Sequence, residues 1–89
     1  MMKSFHLIIA TPTGKAYDGN ATQFSVMGEC GSLSVMADHI PFITNIKAGK
    51  CKIYTETDVM KCFVDGGLLS VTKDSVRVIT TSFNVENGN

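Results

Sequence analysis

Gly31-Ser-Leu-Ser-Val-Met-Ala-Asp-His-Ile-Pro-Phe-Ile-Thr-Asn-Ile-Lys-Ala-Gly49 reads as a strand, a polar turn and a second strand. Leu33 and Val35 alternate with Ser32 and Ser34, and Ile40, Phe42, Thr44 and Ile46 line up on one side. Extended backbone sends successive side chains to opposite faces, so each run has an inner and an outer set. Between the runs, Asp38-His39-Ile40-Pro41 crowds a carboxylate, an imidazole and a proline together, which invites an active-site reading. The neighbouring pattern argues against it. Asp38 and His39 are adjacent, so on extended backbone their side chains diverge. Ser32 and Ser34 fall on the outer face, and no G-x-S-x-G elbow is present. Asp38 fits a turn-stabilising role and His39 a docking role.

The same alternation recurs along the chain. Thr22, Phe24 and Val26 share one side, Cys51 and Ile53 alternate with Lys50 and Lys52, and Val59, Lys61 and Phe63 oppose Met60, Cys62 and Val64. Turn chemistry separates the runs at Pro12-Thr13-Gly14, Asp18-Gly19-Asn20, Gly28 to Gly31, Lys47 to Gly49, Thr55 to Asp58, Asp65-Gly66-Gly67 and Lys73-Asp74. Short strands with turns every 8–12 residues or so predict an all-β sandwich or barrel. No window of about eleven residues or more carries helical periodicity. The expected organisation is one β domain over residues 1–84 and a flexible tail over 85–89. The aromatic residues Phe5, Phe24, Phe42 and Phe63 are expected to pack in the core. Phe42-Ile43 and Leu68-Leu69 place apolar groups on both faces, so part of the outer surface should be covered, by a crossing loop, by barrel closure or by a partner.

Composition narrows the function. The chain has 89 residues, no net charge and 18% charged residues, with its eight Lys and Arg scattered, so a phosphate-backbone partner is not expected. Cys30, Cys51 and Cys62 are an odd count without C-x-x-C spacing, which reads as reduced thiols in a cytosolic protein. No metal-ligand spacing, phosphate-binding glycine loop or carboxylate pair suited to acid–base work is present. The apolar run at the N-terminus is short, is interrupted by His6 and is followed at once by a turn. The remaining reading is a binding or structural module without a cofactor.

Specific residues go further. The Gly31–Gly49 stretch resembles the G-x-L-G-I-L-P-x-H-A-P-L-V-T-x-L-x-x-G block of the N-terminal domain of the ATP synthase epsilon subunit. Thr11 to Gly19 is similar to that family's first turn, Phe63 to Val71 to its V-S-G-G-F-L-E-V segment, and Val76 to Thr80 to its last strand. Ser34, Ala37 and Asp38 depart from the family's usual Gly, Pro and small or Asn residue.

The resemblance implies a flattened β-sandwich of short antiparallel strands on the central rotor stalk of F-type ATP synthase. Such a domain has no catalytic group. It would link the gamma subunit to the c-ring, couple ion translocation to ATP synthesis or hydrolysis, and sit peripherally at the cytoplasmic face of a bacterial membrane. Carried over by position, Glu29, Cys30, Gly31 and Ser32 are expected to face the c-ring, and His39, Ile40, Pro41 and Phe42 the gamma subunit. Nothing after Val85 can form the family's C-terminal helical hairpin, which is therefore expected to be absent. The competing expectation is a stand-alone β-sandwich adaptor for some other protein.

Overall fold

The computed structural model describes residues 3–38 and 40–86. Among them the only regular elements are eight strands: β1 (Phe5–Thr11), β2 (Gly14–Ala21), β3 (Gln23–Gly28), β4 (Gly31–Met36), β5 (Phe42–Tyr54), β6 (Val59–Val71), β7 (Ser75–Ile79) and β8 (Phe83–Val85). They hydrogen-bond in the order β2-β1-β7-β6-β5-β3-β4, with β8 on a second part of β6. The sheet does not close into a barrel.

The two 13-residue strands β5 and β6 build both layers. The Phe42–Ile46 part of β5 pairs with Gly67–Val71 of β6, and β6 passes the layer on to β7 through Leu68–Val71. The Ala48–Tyr54 part pairs with Val59–Asp65, flanked by β3 on one side and β8 on the other. The change of layer falls at Lys47 and at Gly66-Gly67. Both glycines have positive φ, 81° and 139°. A Cβ on Gly67 would lie 2.0 Å from the Ile79 carbonyl oxygen, so the crossing of β7 over this bend requires glycine.

The core draws on every long strand. Leu7, Ile9, Phe24, Ile53, Leu69, Val76 and Val78 are fully enclosed, and Val35, Cys51, Cys62, Val64 and Val71 close the gaps between them. Alternation predicts most of these positions, including Phe5 and Phe24. Phe63 is the exception. It lies outward and 38% exposed, because its neighbours Cys62 and Val64 take the inner face. Ile40 also departs from its expected line with Phe42, Thr44 and Ile46. It precedes β5 and is 82% exposed.

All neighbouring strands are antiparallel except β1 and β7, which run parallel from His6↔Ser75 to Ala10↔Ile79. The β6–β7 turn is short, so β7 leaves β6 antiparallel and lands alongside β1 in the same direction. Local bonds fix the hairpin ends as turn chemistry requires. The Thr55 hydroxyl accepts from the Asp58 N–H at 3.0 Å, and the Ser75 N–H donates to the Thr72 hydroxyl at 3.3 Å. The principal extents are 31, 31 and 26 Å, a modest flattening. Val85 closes β8, and the Glu86 N–H donates to the Lys61 carbonyl; residues 87–89 lie outside the described set.

Candidate functional site

The β3–β4 turn is a tight hairpin, with Gly28 opposite Gly31 in register. Gly31 has φ of 126° and open space around its Cβ position, so its backbone, not crowding, demands glycine. Glu29, Cys30, Gly31 and Ser32 are all exposed. The Asn45 amide of β5 donates to the Glu29 carboxylate at 3.0 Å and holds the turn against the start of β5. Together they enclose a shallow cleft of about 250 Å³ whose floor is Leu33, Phe42 and Thr44.

The second group of expected residues is divided by the structure. Ile40 and Pro41 are exposed on the approach to β5. Phe42 points the other way, half-buried, and lines the cleft beside Glu29 to Ser32. Thr44 and Ile46 follow it on that side, as alternation demands. His39 lies outside the described residues.

The Asp38 turn is held by an exposed ion pair. Asp38 adopts a left-handed φ of 66°, which a short polar side chain tolerates better than most. Its carboxylate accepts from Lys3 Nζ at 2.6 Å, tying the N-terminal segment to the β4–β5 turn and raising the Lys3 pKa. Ser34 bonds to Ser25 at 3.0 Å on the outer face instead of meeting a base. Among the described residues no three His, Cys, Asp or Glu side chains converge as a metal site would need. No described helix is long and apolar enough to cross a membrane.

Two further surface features stand out, the first partly expected from Phe42-Ile43 and Leu68-Leu69. The outer face of the first layer carries Ile43, Leu68 and Ile79, which are 69, 37 and 52% exposed. Leu68 is paired with Asn45 on one side and Ile79 on the other, so the apolar groups form one stripe across β5, β6 and β7. No described loop covers it. The stripe runs into a groove of about 570 Å³ at the strand ends, walled by Ala10, Pro12, Gly67 and Thr80. Doubled apolar pairs such as Phe42-Ile43 carried part of this signal; the groove gathers residues far apart in sequence and carried none.

The second feature is a polar triplet on the β1–β2 hairpin. Asp18 accepts from His6 and from Lys15, the latter at 3.0 Å, and these bonds hold its carboxyl below the usual range. All three side chains are largely exposed, so the cluster joins two edge-side strands at the surface and encloses nothing.

The chain is similar to the ATP synthase epsilon chain of Caldanaerobacter subterraneus subsp. tengcongensis, with 32% identity over 83 residues that span 92% of this chain and 60% of the relative. It is similar to the sodium-ion-specific ATP synthase epsilon chain of Propionigenium modestum at 32% identity, over 88% of this chain and 57% of that one. The chain thus spans about 60% of the length of these relatives. Its fold is similar to a chain in the Euglena gracilis mitochondrial ATP synthase, in a structure of OSCP, F1 and c-ring. There the TM-score is 0.87, at 13% identity over 96% of this chain and 56% of that one. A chain of the central stalk and c-ring structure of Tetrahymena thermophila mitochondrial ATP synthase gives a TM-score of 0.77, at 16% identity over 92% of this chain and 66% of that one. The model of the ATP synthase delta/epsilon chain beta-sandwich domain matches residues 4–85, which hold all eight strands described above, and the chain belongs to that family.

Proposed function

We propose that this domain is a non-catalytic module of the rotor stalk of an F-type ATP synthase, gripping the gamma subunit with one surface and the c-ring with another. The observation that carries this reading is the match of residues 4–85 to the delta/epsilon beta-sandwich domain, together with relatives named as epsilon chains. The structure contributes the surfaces. The polar β3–β4 turn, braced by Asn45 and floored by Phe42, is the c-ring contact, with Glu29, Cys30, Gly31 and Ser32 outermost. The apolar stripe of Ile43, Leu68 and Ile79, extended by the exposed Ile40 and Pro41, is the gamma contact, and His39 belongs to the same approach by its place in the sequence. Phe42 serves the c-ring cleft from beneath instead of the gamma surface. An exposed apolar stripe on one face of a rigid sheet gains most by being covered, and polar turns suit a contact with polar loops.

Torque passing between gamma and ring demands a stiff connector. A twisted, two-layer sheet whose longest strands belong to both layers resists shear through its hydrogen bonds and core together. In this role the domain sits at the membrane without entering it, on the cytoplasmic face of a bacterial cell, and coupling of ion flow to ATP synthesis passes through it mechanically.

The exposed Cys30 thiol provides the test. In the assembled enzyme, a short thiol-directed photocross-linker on Cys30 is expected to trap the c subunit, and a Cys30→Ser chain to trap nothing. A gamma adduct from Cys30, or none in active enzyme, would reject the assignment of the turn.

A further inference from the structure

Cys51 of β5 stands directly opposite Cys62 of β6 in the sheet register. Both are free thiols and both are enclosed, at 2 and 1% exposure. Their Sγ atoms are 2.7 Å apart, and Cys62 Sγ also lies 3.4 Å from the Cys51 carbonyl oxygen. An ordinary non-bonded contact is about 3.5–4.0 Å even between carbons, so each side chain has turned its sulfur onto the other. The backbone fits a bond there. The Tyr54 carbonyl accepts from Thr22 N–H and so faces β3, which puts the backbone groups of Cys51, an odd number of residues away, toward β6. Cys51 and Cys62 are therefore a hydrogen-bonded cross-strand pair, with Cα atoms about 5.5 Å apart, inside the usual disulfide range of about 4.4–6.8 Å.

We propose that Cys51 and Cys62 are a reversible redox site, a dithiol that hydrogen peroxide converts into a disulfide stapling β5 to β6. Burial shuts out a bulky disulfide reagent, so the oxidant assigned to the site is a small one. Cys62 is the attacking sulfur. The sulfur–sulfur contact holds the Cys62 pKa down, and the same contact together with burial pushes Cys51 up. The Cys62 thiolate attacks a peroxide oxygen, the O–O bond breaks, and hydroxide leaves to take up the proton Cys62 released. Cys62 is then a sulfenic acid. The Cys51 sulfur attacks it, the S–O bond breaks, and the Cys51 proton departs with the hydroxyl as water. Two thiols and one peroxide give one disulfide and two waters, with sulfur oxidised and peroxide oxygen reduced. The partner sulfur, already in contact, captures the sulfenic acid before further oxidation.

The site is independent of any rotor role, and the full chain tests it. A Cys30→Ser chain removes the exposed thiol and leaves only the buried pair. After peroxide treatment and denaturation it is expected to show no free thiol, a mass lower by two hydrogen atoms, and a peptide joining Cys51 to Cys62. Its Tm is expected to rise by about 10 °C, because the staple closes a loop of about a dozen residues, and dithiothreitol should reverse the rise. The double variant Cys30→Ser/Cys51→Ala should show no such rise. Two free thiols after treatment, oxygen added to either sulfur without a link, or an equal Tm rise in the double variant would each overturn the proposal.

Discussion

Gly67 is the residue on which the bend of the sheet depends. Its φ of 139° disfavours any side chain, and its Cβ would fall 2.0 Å from the Ile79 oxygen. Gly14 offers the comparison, with φ of 130° and nothing within 4 Å of its Cβ position. Gly14→Ala should therefore cost only backbone strain, about 1–2 kcal/mol, whereas Gly67→Ala adds a backbone clash and should cost well over about 3 kcal/mol. Urea denaturation of the two variants measures the gap, and equal losses would show that β7 does not press on the bend. At the same scale, Asp18 ties stability to pH. Its folded pKa lies below the usual 3.8 because His6 and Lys15 donate to it. A depressed carboxyl stabilises the fold above its unfolded pKa, and that contribution is lost as pH falls through the folded value. Asp18→Asn should thus lower Tm slightly at neutral pH and lose its disadvantage below the carboxylate range. A Tm difference that persists unchanged in acid would argue that the triplet is not what Asp18 contributes.

The β5–β6 hairpin is the element that organises all others. β6 is flanked on both sides at Cys62–Val64 and Leu68–Val71 and β5 at Ile46 and Lys52–Tyr54, while β2, β4 and β8 are edges. Local opening begins where hydrogen bonds are few and exposed. Amide exchange is therefore expected to be slowest at Cys51–Ile53 and Leu69–Val71, and to proceed orders of magnitude faster in β8 and β2. Uniform protection would contradict a hairpin-centred core. Much of this element is legible in the sequence. Cys51 and Ile53 alternating with lysines, Cys62 and Val64 alternating with polar or outward residues, and the Thr55–Asp58 turn point to one hairpin. Phe63, expected in the core, lies outward because it shares a face with Val59 and Lys61, opposite the buried Cys62 and Val64. The parallel β1–β7 pair was not legible, because it joins residues about seventy positions apart in a chain whose turns all predict antiparallel neighbours. The layer change at Gly66-Gly67 was visible as a need for positive φ or close approach, and only the register reveals which strand makes that approach. Of the candidate sites, the exposed turn could be read from its glycines and Glu29. The turning of Phe42 toward it, away from Ile40 and Pro41, follows from alternation only once the start of β5 is known.

At the scale of the molecule, the question is whether stability and docking reside in separate residues, and Leu68 and Leu69 state it most compactly. These neighbours face opposite sides of β6, Leu69 fully enclosed and Leu68 on the outer stripe with Ile43 and Ile79. Truncating Leu69 to alanine removes buried methyl groups and leaves a cavity, which should cost about 2–5 kcal/mol. The pair Ile43→Ser and Ile79→Ser touches surface that no described part of the chain covers, so together they should cost under about 1 kcal/mol. If the stripe is the gamma contact, the same pair forfeits the burial of two isoleucine side chains on docking. That loss is about 1.5–3 kcal/mol for each fully covered side chain, enough to weaken gamma binding more than tenfold. Urea midpoints and titration of the full chain with purified gamma subunit separate the two effects. Leu69→Ala should fall in midpoint while its remaining folded fraction binds gamma normally. Ile43→Ser/Ile79→Ser should keep its midpoint and lose affinity. Undiminished gamma binding by that double variant would remove the stripe from the interface and leave the gamma contact to the approach around Ile40 and Pro41.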